Sequence, residues 1–508
     1  MAVSIDVTSI AANPTRIKDI EDTAKKLAGI LKLDTRKIRQ KLALEKSFVW
    51  IKRKTTARES QLIKELKLPG IDFVPEFNRF YPNTTLAAQA LGFTGLDGKG
   101  LEGIEFYYNQ QLKGAESKIK IFEDALGNGF RSEDRKRANN SGHNLVLTID
   151  SNIQYITEST LIEAVNQYSA DSAMAIVMQP RTGAILAIAH FPTINPNSYL
   201  TFDRSQWRNR AITDPFEPGS TMKIFSAAAA LESGDIKIND IFYCENGAYK
   251  IGKNVVHDSS KHGWLSLQQI IKFSSNIGAV KISEKVGAKT LYQTFQNFGF
   301  GARSGIDCPG ETTGRLSHYS TWAEMDIGAI SYGHGIAVSA VQLITAVSAI
   351  ANDGILMKPY IVMEVSDQNG QPVKRFKPQP VRRVISARTA AIVKKILQTV
   401  TTKGGTGVNA ALDRYSVGGK TGTARKLDEN GEYSESRHVA SFVGFTPVDK
   451  PEIAMLVIID EPKGTYYGGI VAAPVFKKIA QQTLNYLNVA PEGDTTKFRV
   501  SRNNGANG

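Results

Sequence analysis

The stretch 173–188, AMAIVMQPRTGAILAI, decides the fold. Ala173-Met-Ala-Ile-Val-Met178 and Ala184-Ile-Leu-Ala-Ile188 read as apolar strands. Pro180-Arg-Thr-Gly183 between them carries hairpin chemistry, since proline presets a negative φ and glycine tolerates a positive one. Just upstream, Leu145-Val-Leu-Thr-Ile149 reads as a strand and Asp150 as the N-cap of a helix running to about Tyr168. Downstream, residues 210–400 have a mainly helical pattern. Strands return over 415–426, 437–446 and 453–460, separated by Asp428-Glu-Asn-Gly431 and by residues 447–451. A final helix is expected over 472–487, and the Gly-, Asn- and Thr-containing tail 491–508 is expected to be disordered. Two strands, a helical block and three more strands imply one sheet whose halves lie far apart in the chain. A site between sheet and helical block would draw residues from both.

The first 145 residues mix short elements. Ile17, Ile20, Ala24, Leu27 and Leu31 recur with a helical period, and Phe48-Val-Trp-Ile51 is strand-like. A Gly-rich passage, 92–103, follows. No cluster of catalytic side chains stands out, so this part reads as a scaffold. The expected segments are a non-catalytic domain 1–145, a catalytic domain 146–490 and the tail 491–508.

Composition limits the alternatives. Of 508 residues, 42% are hydrophobic and 22% charged, which excludes wholesale disorder and fibrous architectures. No apolar stretch approaches the roughly 18 residues that span a bilayer, and no signal peptide is visible. Two cysteines, Cys244 and Cys308, cannot build a disulfide framework or a four-cysteine zinc site, and read as free buried thiols. The net charge of +13 would attract polyanions. Its densest patch, 35–54, has eight basic residues and one acidic but no nucleic-acid-binding signature. It reads as a solvated face of a membrane-proximal domain, with no nucleic acid as partner.

Three motifs carry chemistry. Glu217-Pro218-Gly219-Ser220-Thr221-Met222-Lys223 opens a helix, which sets Ser220 and Lys223 one turn apart on one face. A hydroxyl so placed can pair with an amine that burial has deprotonated. Ser117 and Lys120 have the same spacing within the scaffold and are assigned no chemistry. Ser274-Ser275-Asn276 ends a helix that starts with a capping box at Ser266 and Gln269. Lys420-Thr421-Gly422-Thr423 lies on the first returning strand, where glycine allows a ligand close to the backbone.

In this order and context, the three resemble the Ser-x-x-Lys, Ser-x-Asn and Lys-Thr-Gly signature of penicillin-binding proteins and class A β-lactamases. Leu147-Thr-Ile-Asp150, Tyr332-Gly-His-Gly335 and Lys403-Gly-Gly-Thr-Gly407 resemble class B penicillin-binding protein landmarks, as does Tyr466-Tyr-Gly-Gly469 followed by Ala472-Ala-Pro-Val-Phe476. Arg79-Phe-Tyr-Pro82 and Gly100-Leu-Glu-Gly-Ile-Glu105 resemble the pedestal that these proteins place below the transpeptidase. The closing segments are similar to the division-specific, FtsI-type branch. The implied fold is α+β: a mixed pedestal plus an antiparallel sheet flanked by helices, with a large all-helical subdomain. His334 reads as a loop residue rather than a base.

The resemblance implies a serine D,D-transpeptidase that cross-links peptidoglycan stem peptides in septal wall synthesis and is acylated by β-lactams. Ser220, Lys223, Ser274 and Asn276 would be catalytic; Lys420, Thr421, Gly422 and Thr423 would bind substrate. No cofactor and no metal is needed. Implied partners are stem peptides, β-lactams, an FtsW-type glycosyltransferase and other divisome proteins. The implied location is the extracytoplasmic, periplasmic face of the inner membrane, with an anchoring helix ahead of Met1. The alternatives are an elongation-type transpeptidase, a D,D-carboxypeptidase or β-lactamase, and a β-lactam-sensing receptor. A class A lactamase would need Glu-x-x-x-Asn between the second and third motifs, and no such spacing occurs there.

Overall fold

The computed structural model describes residues 1–114, 142–428 and 430–492, and the backbone of two short strands, Ile121–Glu123 and Gly129–Arg131. Ser117 and Lys120, and most of the expected tail (493–508), lie outside the described residues.

Near the amino terminus, Val3–Ala12 lies between Val49–Thr55 and Ile71–Phe80 in an antiparallel sheet. The stretch around the expected helical period, from Pro14 to Leu31, resolves into two pieces. Asn13 caps a 3-10 turn, Pro14–Arg16, and Asp19 caps the helix Ile20–Leu31. Ala24, Leu27, Ala28 and Leu31 then cover Ile10, Ala12 and Ile51 of the sheet. Each fully buried Leu or Ile contributes roughly 1.5–3 kcal/mol there. The basic patch spends much of its charge within this region. Arg53 pairs with Glu76 and Asp97, Lys52 with Glu59 at 2.6 Å, and the Lys41 ammonium donates to the Trp50 carbonyl.

The catalytic part is built on a five-stranded antiparallel sheet. Its order is Gly418–Leu427, Tyr433–Thr446, Ile453–Asp460, Ser172–Met178, Ile185–Phe191. The two sequence-distant halves therefore join where Ile453–Asp460 pairs with Ser172–Met178. Both strands are buried along their whole length, which is why their sequences are continuously apolar rather than alternating. Met174, Ile176 and Met178 face the helical block, whereas Ala173, Ala175 and Val177 face the other layer. That layer holds the helices Ser151–Tyr168 and Ala473–Tyr486. Asp150 caps the first of these, accepting the amides of Asn152 and Ile153 at 2.8 and 3.1 Å. The opposite layer presents Ala340–Ala351, a helix with every residue buried.

Residues 210–400 carry, besides their helices, eight short strands among the described residues. The hairpin Ala248–Ile251 with Asn254–His257 turns at Gly252, where φ is +57°. Val362–Ser366 pairs with Asn144–Leu147 and so ties the start of the catalytic part to its helical block. Cys244 and Cys308 are buried free thiols, as expected. No helix among the described residues is long and apolar enough to cross a membrane.

Candidate active site

The site lies where the helical block meets the sheet edge. Gly219–Met222 forms a 3-10 turn that runs into the helix Lys223–Ser233. Gly219 sits at φ +54°, and its amide donates to the Gly333 carbonyl at 3.2 Å. Gly333 has φ +91°, and a Cβ there would stand 2.1 Å from the Gly219 carbonyl oxygen. The Tyr332-Gly-His-Gly335 loop is thus pressed against the Ser220 turn, and only glycine fits the contact.

Ser274 ends the helix Leu267–Phe273 as a left-handed C-cap with φ +62°, and Ser275 caps the next helix, Asn276–Val286. This abrupt reversal directs three oxygens at one amine. The Lys223 ammonium reaches the Ser274 carbonyl at 2.6 Å, the Ser274 hydroxyl at 3.2 Å and Asn276 Oδ1 at 2.7 Å. It also stands 3.1 Å from Ser220 Oγ.

The third motif occupies the sheet edge. Lys420 Nζ lies 2.9 Å from the Ser274 hydroxyl, so that hydroxyl bridges both lysines. A Cβ on Gly422 would meet Ser441 Oγ at 2.3 Å and the Pro218 carbonyl at 3.1 Å. Glycine therefore lets the edge strand close on the Ser220 turn. Thr421 Oγ1 donates to Thr406 Oγ1 at 3.0 Å, and Thr423 Oγ1 accepts the Gly468 amide at 3.1 Å. All eight residues singled out from the sequence come together, or stand on the strand that lines the site.

Lys223 and Lys420 are both fully buried. Burial pushes Lys223 down to about 7, partly opposed by the negative charge of Asp258. Burial, reinforced by Lys223, pushes Lys420 well below the ordinary lysine range. At neutral pH an appreciable fraction of Lys223 is thus a free amine 3.1 Å from a hydroxyl, which equips it to take that proton.

Asp258 was not legible in the sequence. Its carboxylate accepts the Ser275 hydroxyl and the Asn276 amide, both at 2.5 Å, and the Ile277 amide at 3.0 Å. It stabilises the start of the Asn276–Val286 helix as an anion at a positive dipole end. Nothing in His257-Asp-Ser-Ser260 marks this role, because the contact spans 17 residues and depends on the preceding hairpin. Glu217 and Thr406 belong to motifs quoted from the sequence, but their roles emerge only from the structure. Glu217 accepts the Gly335 amide at 2.9 Å and the Tyr433 hydroxyl at 3.0 Å, clasping the sheet edge to the Ser220 turn. His334 sits in this loop beside Tyr433, and burial lowers it below the ordinary imidazole range.

Asp258→Asn should move the pH midpoint of acylation to lower values, because removing the anion removes the one influence that holds the Lys223 pKa up. Penicillin labelling rates between pH 5 and pH 9 test this (roughly the range bracketing a pKa near neutrality). A midpoint that stays put or rises would contradict it.

The penicillin-binding protein transpeptidase domain matches residues 173–481, and the penicillin-binding protein dimerisation domain matches residues 1–147. The chain is 36% identical over 506 residues to the probable peptidoglycan D,D-transpeptidase PenA of Neisseria gonorrhoeae, covering 98% of this chain and 85% of PenA. It is 31% identical to the peptidoglycan D,D-transpeptidase FtsI of Escherichia coli K12, covering 100% of this chain and 86% of FtsI. Among solved structures, penicillin-binding protein 3 of Mycobacterium tuberculosis in complex with aztreonam aligns with a TM-score of 0.73 at 29% identity. That alignment covers 82% of this chain and 92% of the other. With both family domains in order along nearly the whole length, the chain belongs to the class B penicillin-binding proteins, the serine peptidoglycan D,D-transpeptidases.

Proposed function

We propose that Ser220 is the acylated nucleophile and Lys223 its base, in a transpeptidase that acts in septal wall synthesis and is a β-lactam target. The observation that carries this reading is the single lysine amine placed among Ser220, Ser274 and Asn276. Lys223 takes the Ser220 proton as Oγ attacks the penultimate D-Ala carbonyl of a stem peptide. The amides of Ser220 and Thr423 would hold the developing oxyanion, each worth about 3–4 kcal/mol in comparable acyl transfer. The C–N bond then breaks, and Ser274, bridged to both lysines, passes a proton to the departing D-Ala amine. The amine of a second stem peptide attacks the acyl-enzyme and releases Ser220.

Lys420, Thr421 and Thr423 would receive the donor's terminal carboxylate. Burial without a counter-anion holds Lys420 toward its neutral form, and an arriving carboxylate favours the ammonium again. Gly422 would let the donor backbone lie against the edge strand. The named relatives FtsI and PenA and the aztreonam complex support septal and β-lactam readings for this chain. An extracytoplasmic, membrane-anchored setting, with an FtsW-type glycosyltransferase and other divisome proteins as partners, belongs to the same proposal and rests on the family resemblance.

The test is incubation with fluorescent penicillin and mass spectrometry of the labelled peptide. Label is expected on the peptide containing Ser220 and absent in Ser220→Ala. Label on Ser274 would sink the assignment. The acylation rate should also rise with pH, close to tenfold per unit below about 7, and level off above it, because the neutral amine is the active form. A flat profile, or one falling with pH, would rule out Lys223 as the base.

A further inference from the structure

A second hollow, sharing no residue with the site around Ser220, lies where Tyr107 and Tyr108 meet the strands Val362–Ser366 and Pro372–Arg375. It encloses about 450 Å³, within the range of small-molecule sites. Aromatic and aliphatic side chains form about half of its described lining, and polar ones, Gln111, His143 and Gln379 among them, share the rest with charged groups. The Tyr108 ring stands edge-on to Phe376 with centroids 6.3 Å apart. Val373, on the outermost strand of its sheet, is 57% exposed, a large apolar side chain left uncovered.

The charge around this hollow is one-sided. Asp307 is the one acid among the described residues of its lining. Its oxygens already accept the amides of Ile361 and Val362 at 2.7 and 2.9 Å and the Tyr108 hydroxyl at 2.9 Å. That carboxylate fixes the floor and has little capacity left for a cation. Lys358, Lys374 and Lys377 also line the hollow, and none has a carboxylate partner among the described residues. The next cation on the same strand behaves differently, since Arg375 pairs with Glu364 at 2.7 Å. The Lys374 ammonium instead rests over the Phe376 ring, 4.7 Å from its centroid, which keeps it at the wall of the hollow.

Three ammonium groups with no carboxylate partner among the described residues, set around a partly aromatic cavity, match an anion attached to an apolar body, because one partner satisfies both. We propose that this hollow binds a small amphiphilic organic anion, a carboxylate or sulfonate carried on an aromatic or branched apolar body. Such a ligand would contact Tyr108 from the amino-terminal part and Phe376 from the catalytic part at once.

The test uses the aromatic sulfonate anilinonaphthalene sulfonate as probe, titrated into the whole chain before and after acylation by penicillin. Neutral N-phenylnaphthylamine is the comparison. One saturable site per chain is expected, with equal affinity in free and acylated protein and weaker binding of the neutral probe. In the triple variant Lys358→Gln, Lys374→Gln, Lys377→Gln, affinity for the sulfonate should fall at least about tenfold. Val373→Glu, an exposed position, places a carboxylate in the hollow and should also abolish the signal while leaving the thermal midpoint in place. Absence of a saturable site, unchanged affinity in either variant, or loss of the site on acylation would overturn the proposal.

Discussion

Arginine in place of Lys223 is expected to slow acylation of Ser220 by at least about 10³-fold, within the contribution of a positioned general base. The guanidinium keeps its proton at any accessible pH, so it cannot receive the one from Ser220 Oγ. Its size adds to the loss, since Lys223 is fully buried and its amine is already ringed by four oxygen contacts. Lys420→Arg meets the same steric penalty, since Lys420 is also fully buried, but should lose less. Recognition of a carboxylate needs positive charge and donors, both of which arginine supplies, so part of the acylation rate should survive. Second-order rate constants for penicillin labelling of the two variants decide the matter. Equal losses would mean that the two buried lysines do not divide the work of proton transfer and carboxylate binding.

What could be read from the sequence follows from how local the cause of each feature is. The central strands were legible because burial on both faces imposes a continuous apolar run, as in Ser172–Met178 and Ile453–Asp460. The Ser220 turn was legible because Pro218 and Gly219 mark a helix start that puts Lys223 one turn away. Val3–Ala12 carries the signal in its outer half, where Val3, Ile5 and Val7 alternate with polar residues, but that half is largely exposed, so the alternation marks no core face. Short strands such as Ala248–Ile251 were hidden because three or four residues give too few periods to distinguish from a loop. Asp258 was invisible for a different reason. Its partners, Ser275, Asn276 and Ile277, meet it through a fold-level juxtaposition. The environment that lowers the Lys223 pKa is likewise a property of packing rather than of spacing.

The penicilloyl form of Ser220 should persist for many minutes after free drug is removed, with deacylation slower than in a hydrolase by the roughly 10²–10⁴-fold that a general base supplies. Hydrolysis needs a carboxylate or amine free to activate water. Two acids beside the site, Asp258 and Glu217, are already engaged. Asp258 accepts three hydrogen bonds at the start of the Asn276–Val286 helix. Glu217 accepts the Gly335 amide and the Tyr433 hydroxyl. Lys223 is held by the Ser274 carbonyl at 2.6 Å and Asn276 at 2.7 Å, contacts that do not involve Ser220. An acceptor amine brings its own nucleophile and gains from this exclusion of activated water, which favours cross-linking over hydrolysis. Stoichiometric labelling followed by slow decay of the labelled band is the expected result. Asp258→Asn should not accelerate that decay, because the carboxylate is not the source of an attacking water. Rapid multiple turnover of penicillin by the unaltered chain would show that a deacylating base operates here, and would move the reading from transpeptidase to β-lactamase chemistry.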